Sequence, residues 1–381
     1  MKILMVAIPN HHFFKWVEQL KDSGHDVFWF DITDGGPIAE RISLVKQYKS
    51  WKLKWDFPLR SKMKQYLPSV YNVVQKYNER KPNIVFKNII NAIQPDVIHC
   101  FEMKRSGFPI LKTLQNHPEI PVIYSSWGSD MFYFEKVGTT KQQVAQFLKR
   151  ANYLITDCKR DFTLAKANGF NNAFLGVFPG NGGLSINNRH IKPTNERKIV
   201  TIKGYDDGVG KAIKVLQAIE CIDEAKSQDY EFVIYSADAN VETYVKASTI
   251  LSKYNIKTYL RTQFVSNESL LEVMGNSCIH IANSISDGMP NALLEAMAMG
   301  SFPIQSNPGN VTEEVITNGK NGFLIENPLD ANEIKTHILK AIENCELREE
   351  AQEYNVSFMD KNYNRSTLQA QIVQLYTKAL G

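Results

Sequence analysis

The sequence is poor in cysteine, and its cysteines are not spaced as pairs. Five cysteines, an odd number, are scattered over 381 residues, and no C-x-x-C motif occurs. This pattern argues against a disulfide framework and favours a reducing compartment. We therefore expect the cysteines to act as small buried side chains.

Long apolar runs are also missing. No uninterrupted run approaches the roughly 18 apolar residues that a membrane-spanning helix needs. The opening segment MKILMVAIPN has too short an apolar run for a signal peptide, so we expect a cytoplasmic protein that touches a membrane only at its surface. Glycine and proline, at 21 and 15 residues, are too few for a disordered chain, and the 43% of apolar residues is ordinary for a globular one.

Net charge is also low, at +4, but this sum hides an asymmetry. Residues 1–180 hold 25 Lys and Arg against 15 Asp and Glu, whereas residues 181–381 hold 19 against 25. A basic half joined to an acidic half indicates that the two halves meet different partners. The basic excess lies almost entirely in residues 41–88, with twelve basic and two acidic side chains.

The basic stretch also carries apolar residues at helical spacing, namely Leu44, Tyr48, Trp51 and Trp55. A basic helix with aromatic residues on its apolar face is suited to an anionic membrane surface or to a phosphate-rich acceptor. The alternative is a helix packed on its own domain with a solvated basic rim. Nucleic acid is disfavoured, because no RNA- or DNA-binding motif is present.

Strand and helix patterns alternate along the chain, which is typical of parallel sheets covered by helices. KILMVAI (2–8) begins one series, and KIVTIKG (198–204) begins a second. A polar, Gly- and Asn-rich segment over 181–197 lies between them and indicates an interdomain linker. The sequence predicts an α/β protein with two Rossmann-like, doubly wound domains, residues 1–182 and 183–357, and an interdomain cleft that holds the ligand.

The strongest chemical signal is SISDGMPNALLEAMAMG, residues 284–300. Pro290 stands where a first helical turn begins, and the free N–H groups of such a turn attract anions. Gly288 permits close approach of a phosphate or a sugar to the backbone. Asp287 and Glu295 repel phosphate, so they are suited to accept hydrogen bonds from the hydroxyls of a sugar and a ribose. A capped amphipathic helix with Asp287 as a turn residue is the alternative.

A second candidate is KGYDDGVGK, residues 203–211, which lies between a predicted strand and a predicted helix. Glycines followed by a lysine at a helix start are typical of a loop that cradles phosphate. The P-loop of nucleotidases is excluded, because Tyr205 occupies its first glycine position and Ala212 replaces the hydroxyl residue that binds Mg²⁺. A polar turn with solvent-facing lysines is the alternative.

Residues 287–300 resemble the donor-binding motif of retaining glycosyltransferases of the GT-B fold, especially family 4, the group 1 glycosyl transferases. The matching positions are Asp287, Gly288, Pro290, Glu295 and the closing AMAMG. The downstream stretch FPIQSNPGNVTEEVITNGKNGFLIENP also resembles the end of the family pattern. One position departs from it, because the family usually has Glu where this chain has Asp287.

The resemblance implies a role for each matching residue. Glu295 would bind the nucleotide ribose, and Asp287 would hold donor-sugar hydroxyls as part of the catalytic site. Lys203 and Lys211 would clamp the donor diphosphate, since a fixed cation is what a metal-independent transferase needs for its leaving group. The remaining donor-binding positions are Gly204, Gly288, Met289, Pro290 and Asn291.

In the first domain, the resemblance places Asp130 of SSWGSDMF in a loop that contacts acceptor or donor sugar, as part of the catalytic site with Asp287 and Lys211. The alternative for Asp130 is a helix N-cap. His11 and His12 follow the first strand, and His99 and Glu102 end a later one. We expect these four residues to bind acceptor. The alternatives are a surface loop for the first pair and a core-edge histidine at position 99. No spacing of His and Cys indicates a metal site.

The resemblance implies transfer of a hexosyl group from a nucleotide-sugar, with a UDP-sugar favoured, to an acceptor hydroxyl with retention at the anomeric carbon. No metal and no other cofactor is expected. The implied partners are the donor and a glycan, glycolipid or other anionic acceptor of bacterial cell-surface glycan synthesis. From the basic stretch itself we also expect peripheral contact with an anionic membrane through residues 41–64, and we expect no nucleic acid partner. The terminal helix, residues 358–381, would pack back on the first domain. A sugar-nucleotide epimerase of the same fold and a catalytically silent binding protein are the alternatives.

Overall fold

The computed structural model describes residues 1–186, 188–263 and 265–379. Asn187 of the expected linker, Phe264, and the last two residues of the expected returning helix lie outside the described residues. The chain divides into two compact units. Unit 1 comprises Met1–Asp157, Asp161–Gly182 and Gln369 onward, and unit 2 comprises Cys158–Arg160 and Gly183–Leu368.

Unit 1 is built on a seven-stranded parallel sheet with the order β3-β2-β1-β4-β5-β6-β7. Its strands are β1 Lys2–Ala7, β2 Asp26–Asp31, β3 Lys46–Tyr48, β4 Val97–Phe101, β5 Val122–Ser125, β6 Tyr153–Thr156 and β7 Ala173–Val177. The helices of this part of the chain are α1 His11–Glu18, α2 Arg60–Tyr66, α3 Pro68–Asn78, α4 Pro82–Ile93, α5 Leu111–Asn116, α6 Lys141–Arg150 and α7 Lys159–Ala167.

Unit 2 is built on a six-stranded parallel sheet with the order β10-β9-β8-β11-β12-β13. Its strands are β8 Ile199–Lys203, β9 Glu231–Ala237, β10 Asn255–Leu260, β11 Ser277–Ala282, β12 Phe302–Ser306 and β13 Phe323–Ile325. The helices that follow α7 are α8 Ala212–Glu220, α9 Glu224–Ser227, α10 Ala239–Ala247, α11 Asn267–Gly275, α12 Asn291–Ala298, α13 Ala331–Glu343, α14 Cys345–Tyr363 and α15 Arg365–Lys378.

The central strands of both sheets are buried on both faces. Ile3 to Ala7 of β1 are fully buried, and so is every residue of β11. Such strands read as continuous apolar runs because helices cover both sides of a parallel sheet. The prediction of an α/β protein with two doubly wound, Rossmann-like sheets is confirmed.

The spacing over residues 44–55 predicts a helix, and this prediction is wrong. The chain there forms the edge strand β3 and continues as irregular structure. Trp51 is buried, donates from Nε1 to the carbonyl of Asp31 at 2.7 Å, and packs on Phe30 with ring centroids 5.0 Å apart. Lys49 forms a buried ion pair with Asp31 at 2.8 Å. These long-range contacts outweigh the local helical spacing.

The last segment of the chain belongs to unit 1 from Gln369 onward, rather than from Phe358. Tyr376 of α15 is buried there, and its hydroxyl accepts a hydrogen bond from Trp16 Nε1 at 2.9 Å. Gln369 donates to the carbonyl of Gln19 at 3.1 Å.

Three of the five cysteines, Cys100, Cys158 and Cys278, are buried as expected, whereas Cys221 and Cys345 are exposed. Among the described residues, no helix combines the length and the apolarity that crossing a bilayer requires.

Candidate functional site

The two motif loops predicted from the sequence meet in unit 2. Strands β8 and β11 are neighbours in the sheet, but the chain runs outward from them in opposite directions, which makes their carboxyl ends a topological switch point. The loop after β8 and the loop after β11 are joined there by backbone hydrogen bonds. Lys211 N–H donates to the Asn283 carbonyl at 2.9 Å, and Ile285 N–H donates to the Val209 carbonyl at 3.0 Å.

The first of these loops, residues 204–211, is held by its own aspartates and by close packing. Asp207 Oδ1 accepts the Gly210 N–H at 3.0 Å. A Cβ on Gly210 would lie 2.4 Å from the Tyr205 carbonyl oxygen, and one on Gly204 would lie 2.6 Å from the Ala237 Cα. Gly204 was expected to bind donor, and the structure gives it a packing role against the end of β9.

The lysines at the two ends of this loop differ in their surroundings. Lys203 Nζ lies 4.7 Å from the ring centroid of Tyr205, whose ring also contacts the guanidinium of Arg261 at 4.2 Å. Lys211 lies at the N-terminus of α8, and its ammonium has no hydrogen-bond or ion-pair partner in the described part of the chain. An unpaired cation at a switch point is suited to a phosphate ligand.

Asp287 lies on the second loop, directly before α12. Its Oδ1 accepts the Gly288 N–H at 2.9 Å. Burial raises the pKa of the Asp287 carboxyl, although Lys203, the Gly288 N–H and Arg160 each act to lower it. The carboxyl therefore lies within the electrostatic reach of two cations, and a ligand that brings further hydrogen-bond donors would stabilise its ionised form.

Helix α12 begins where the sequence predicts. Pro290 is its N-cap and Asn291 its first residue, and Met289 and Pro290 are buried. Among the described residues, no side chain forms a capping hydrogen bond at this end of the helix. The helix therefore offers backbone N–H groups and a partial positive charge of about 0.5 beside Asp287, as an anion requires.

Glu295 lies one turn further along α12 and is buried to 8% exposure. Its Oε1 accepts a hydrogen bond from Asn267 Nδ2 at 3.1 Å. Burial, and next the Glu295 carboxylate, raise the pKa of Tyr235 well above its usual range. The hydroxyl of Tyr235 is hydrogen-bonded to Nε2 of His280 at 2.9 Å, within the sheet.

A second set of contacts around Asp287 was not found from the sequence. Arg160 Nη2 donates to the Asp287 carbonyl at 2.8 Å, and Nη1 donates to the Pro308 carbonyl at 2.7 Å. The backbone N–H groups of Lys159 and Arg160 donate to the two oxygens of Glu314 at 2.9 and 3.1 Å. The segment Cys158–Arg160 therefore fixes the Asp287 loop from outside the motif, and no local sequence signal marks it.

In unit 1, Asp130 and Glu102 are engaged in structural bonds. Asp130 Oδ2 accepts the Met103 N–H at 2.6 Å and the hydroxyl of Tyr124. Glu102 Oε2 accepts the Arg105 N–H at 2.6 Å and so caps the turn that follows β4. Burial, and next the Glu102 charge, raise the pKa of Asp130 well above its usual range. These bonds favour a structural role for Asp130, but they join it to Met103 and Tyr124 rather than to the segment that follows it, which differs from the N-cap alternative.

The three histidines expected to bind acceptor lie in different surroundings. His99 is fully buried, and its ring nitrogens bond the Tyr376 hydroxyl at 2.7 Å and Ser125 Oγ at 2.8 Å, which favours the core alternative. His11 opens α1 and lies 3.0 Å from Arg41; burial and neighbouring cations lower its pKa to about 4. His12 lies beside the ring of Trp127 at 6.4 Å and remains the histidine best suited to an aromatic-lined acceptor site.

Two family profiles match the sequence. The family described as Glycosyl transferases group 1 matches residues 186–357, and the family described as Glycosyl transferase 4-like matches residues 79–158. The first match spans both motif loops. Among curated protein sequences, none matches this chain significantly.

Solved structures resemble the chain over nearly its whole length. Anabaena HepE in complex with UDP and glucose has a TM-score of 0.65 at 15% identity, over 99% of this chain and 100% of that one. Sucrose-phosphate synthase from Thermosynechococcus elongatus has a TM-score of 0.71 at 15% identity, over 99% and 98%. A mutant of S. aureus TarM in complex with fondaparinux, alpha-GlcNAc-glycerol and UDP has a TM-score of 0.70 at 12% identity, over 98% and 99%.

At these identities the likeness to solved structures establishes the fold, and the profiles relate residues 186–357 and 79–158 to glycosyltransferase families. The match of residues 186–357 to the group 1 glycosyltransferases, together with the GT-B fold of the whole chain, supports a group 1 glycosyltransferase.

Proposed function

We propose that this chain is a retaining, family 4 hexosyltransferase that moves a sugar from a nucleotide-sugar, a UDP-sugar in particular, to a hydroxyl of a glycan or glycolipid acceptor. The observation that carries the proposal is the junction of the two loops in unit 2. It brings an unpaired lysine, an uncapped helix N-terminus and two carboxylates to one switch point. Two neighbours in fold were solved with UDP, which favours uridine among the bases.

The donor binds in unit 2 with its parts divided among these groups. Lys211 and the N-terminus of α12 bind the diphosphate, and Lys203 adds a second cation beside Tyr205. Glu295 accepts hydrogen bonds from the ribose, whereas Asp287 accepts them from hydroxyls of the sugar. Each carboxylate thereby meets hydroxyl donors and each cation meets phosphate, as charge complementarity requires.

The leaving group in this reaction is a nucleoside diphosphate, and its developing charge needs a cation. In this proposal Lys211 and Lys203 supply that charge, so no divalent metal is required. The reaction takes place in the cytoplasm, and its product enters cell-surface glycan. Full activity after EDTA treatment is expected, whereas a loss of activity that Mn²⁺ restores would contradict the metal-independent form of the proposal.

The first experiment is a thermal-shift panel of UDP, GDP, ADP and their sugars. A ligand at a hundred times its Kd stabilises the folded state by about 2.7 kcal/mol, which such a panel detects readily. UDP and one UDP-sugar should raise the melting temperature of the wild type. Glu295→Gln should abolish the UDP shift, whereas Glu272→Gln, an exposed carboxylate of α11, should preserve it.

The second experiment is product analysis with the donor identified by the panel. Transfer to an acceptor with an α-linkage from an α-donor is the expected result. Release of a free epimer of the nucleotide-sugar, with no acceptor product, would instead identify an epimerase. A nucleotide shift without any turnover on a broad acceptor set would identify a binding protein.

A further inference from the structure

Helix α3 is oriented with its apolar residues toward solvent. Val70, Val73 and Tyr77 recur at i, i+3 and i+7, which places them on one face, and their exposed fractions are 51%, 61% and 67%. The residues that join α2 to α3, Tyr66 and Leu67, are exposed to 71% and 57%. We call Val70, Val73 and Tyr77 the apolar stripe.

The opposite face of α3 buries polar side chains. Gln75 and Asn78 are buried to 6% and 0% exposure. Asn78 accepts the Trp55 N–H at 3.0 Å and donates to the Trp55 carbonyl at 2.8 Å, which fixes the rotation of the helix. The amide of Gln75 has no hydrogen-bond partner among the described residues. On this side Tyr71 and Val74 are also half-buried, whereas the apolar stripe stays exposed. A surface helix ordinarily buries its apolar residues, so the exposed stripe points to a partner outside the chain.

Positive charge surrounds the apolar stripe. Residues 57–78 contain Arg60, Lys62, Lys64 and Lys76 and no acidic residue. The three lysines are exposed, and none of them has an ion-pair partner in the described ranges. The partner must therefore satisfy apolar groups and several cations at the same time.

We propose that the face formed by α2 and α3 binds the surface of an anionic phospholipid bilayer. The apolar stripe enters the boundary between headgroups and acyl chains, and the lysines meet lipid phosphates. Tyrosine suits this depth, since its ring is apolar and its hydroxyl reaches water. A second copy of the chain is disfavoured, because a two-fold contact would bring the same cations together without acids.

This inference is independent of the proposed glycosyl transfer. It also assigns the membrane contact to a largely different part of the chain from residues 41–64, where the sequence predicts it. Trp51 and Lys49, the centre of that expected helix, are buried against Asp31, so they are not available to a lipid surface. The contact falls instead on α2, which overlaps the end of that segment, and on α3, which follows it.

The test is flotation of the full chain with vesicles of phosphatidylcholine alone or with phosphatidylglycerol added. The wild type should float only with the anionic vesicles and should be released by salt. Two variants separate the contributions, Val73→Asn with Tyr77→Ser, and Lys62→Gln with Lys64→Gln and Lys76→Gln. Each should lower the partition coefficient about tenfold or more. Because all these side chains are exposed, the melting temperature should not change, and a thermal melt of each variant checks this.

The control variant combines Ile250→Asn with Tyr354→Ser, two exposed apolar positions of unit 2 at 45% and 53% exposure, and should float like the wild type. Equal flotation with neutral vesicles, or undiminished flotation of either α3 or lysine variant, would overturn the proposal. A wild-type dimer that Val73→Asn with Tyr77→Ser dissociates, in the absence of any vesicle binding, would identify the face as a self-interface instead.

Discussion

The two units have the same strand order around their first strand, but their switch points differ in what they leave free. In unit 1, the Asn10 side chain caps α1, Glu102 caps the turn after β4, and Asp130 holds that turn in place. In unit 2, the ammonium of Lys211 has no partner among the described residues, and neither has Oδ1 of the buried Asn283. Ser106 Oγ of the turn after β4 in unit 1 also has no partner there, so the contrast between the two switch points lies in the cation of unit 2. Topology offers a place for a ligand in both units, and a cation without a partner favours the place in unit 2 as an anion site.

The largest expected effect is the loss of activity when Lys211 of unit 2 is replaced. Lys211→Ala should lower kcat/KM about 10²- to 10³-fold, since it removes charge at the leaving diphosphate. Lys214→Ala, one turn further along α8, is the matched control and should leave the rate near wild type. Steady-state kinetics with the donor found by thermal shift measures both. Near-normal turnover of Lys211→Ala would contradict the proposal that the switch point of unit 2 binds the donor diphosphate through Lys211.

The next prediction compares a carboxylate of unit 2, Asp287, with a carboxylate of unit 1, Asp130. Asp287→Asn should lower kcat/KM about tenfold to a hundredfold, because hydroxyls of the sugar lose a charged acceptor. It should not lower the melting temperature, because burial already opposes the charge of this carboxyl.

Asp130→Ala should behave in the opposite way. It leaves the Met103 N–H and the Tyr124 hydroxyl unpaired, so the free energy of unfolding should fall by about 1 to 3 kcal/mol. Kinetics at a temperature well below the melting transition should show little change. An Asp130→Ala enzyme that is stable but inactive would contradict the structural role and would indicate that Asp130 takes part in catalysis.

A smaller effect is expected at Arg160, which acts on Asp287 through the backbone. Arg160→Ala should lower kcat about tenfold with little change in KM for the acceptor, because the loop loses its fixed position. Arg160→Lys should restore only part of the rate, since an ammonium lacks the planar fork that bonds two carbonyls. Lys166→Ala, on the same helix, is the control.

The pH profile gives an independent readout for Arg160. Its charge lowers the pKa of Asp287, so its removal should raise that pKa further. If ionised Asp287 is the active form, the acid limb of kcat/KM should move to higher pH in Arg160→Ala. An unchanged acid limb with reduced kcat would indicate a purely structural role.

The smallest effect compares the buried histidines beside the first strand of each sheet. Burial lowers the pKa of His280 to about 3 and that of His99 well below its usual range. In the unfolded chain both titrate near pH 6.5, so the unfolded state binds more protons below that pH. Stability is therefore full above about pH 6.5 and falls as the pH drops, by at most about 1.4 kcal/mol per pH unit for each histidine.

Calorimetry from about pH 7.5 down to about pH 5 checks this slope. His280→Gln should flatten the pH dependence of the unit 2 transition and leave that of unit 1 unchanged. His99 has bonds to both ring nitrogens, whereas Nδ1 of His280 has no partner among the described residues. Replacing His99 should therefore be the more destabilising of the two changes at neutral pH.

The loops of unit 2 were predictable because their signals are local. A glycine, a proline at a first helical turn and a carboxylate within a few residues specify the start of α12. Arg160 was not predictable, since its role arises from contacts with Asp287 and Glu314 far along the chain. The helix predicted over 44–55 is wrong for the same reason. The bonds of Trp51 and Lys49 to Asp31 determine the conformation of that segment, and the local spacing does not reveal them.

The division of the chain has a consequence for protein engineering. The polypeptide passes between the two units four times, at 157/158, 160/161, 182/183 and 368/369. A fragment of residues 183–368 omits the tripeptide Cys158–Arg160 and so strips Glu314 of its two N–H partners. Chimaeras that exchange donor specificity between relatives must therefore transplant this tripeptide together with the larger segment. A single cut at the apparent domain boundary would combine one parent's Arg160 with the other parent's Asp287 loop.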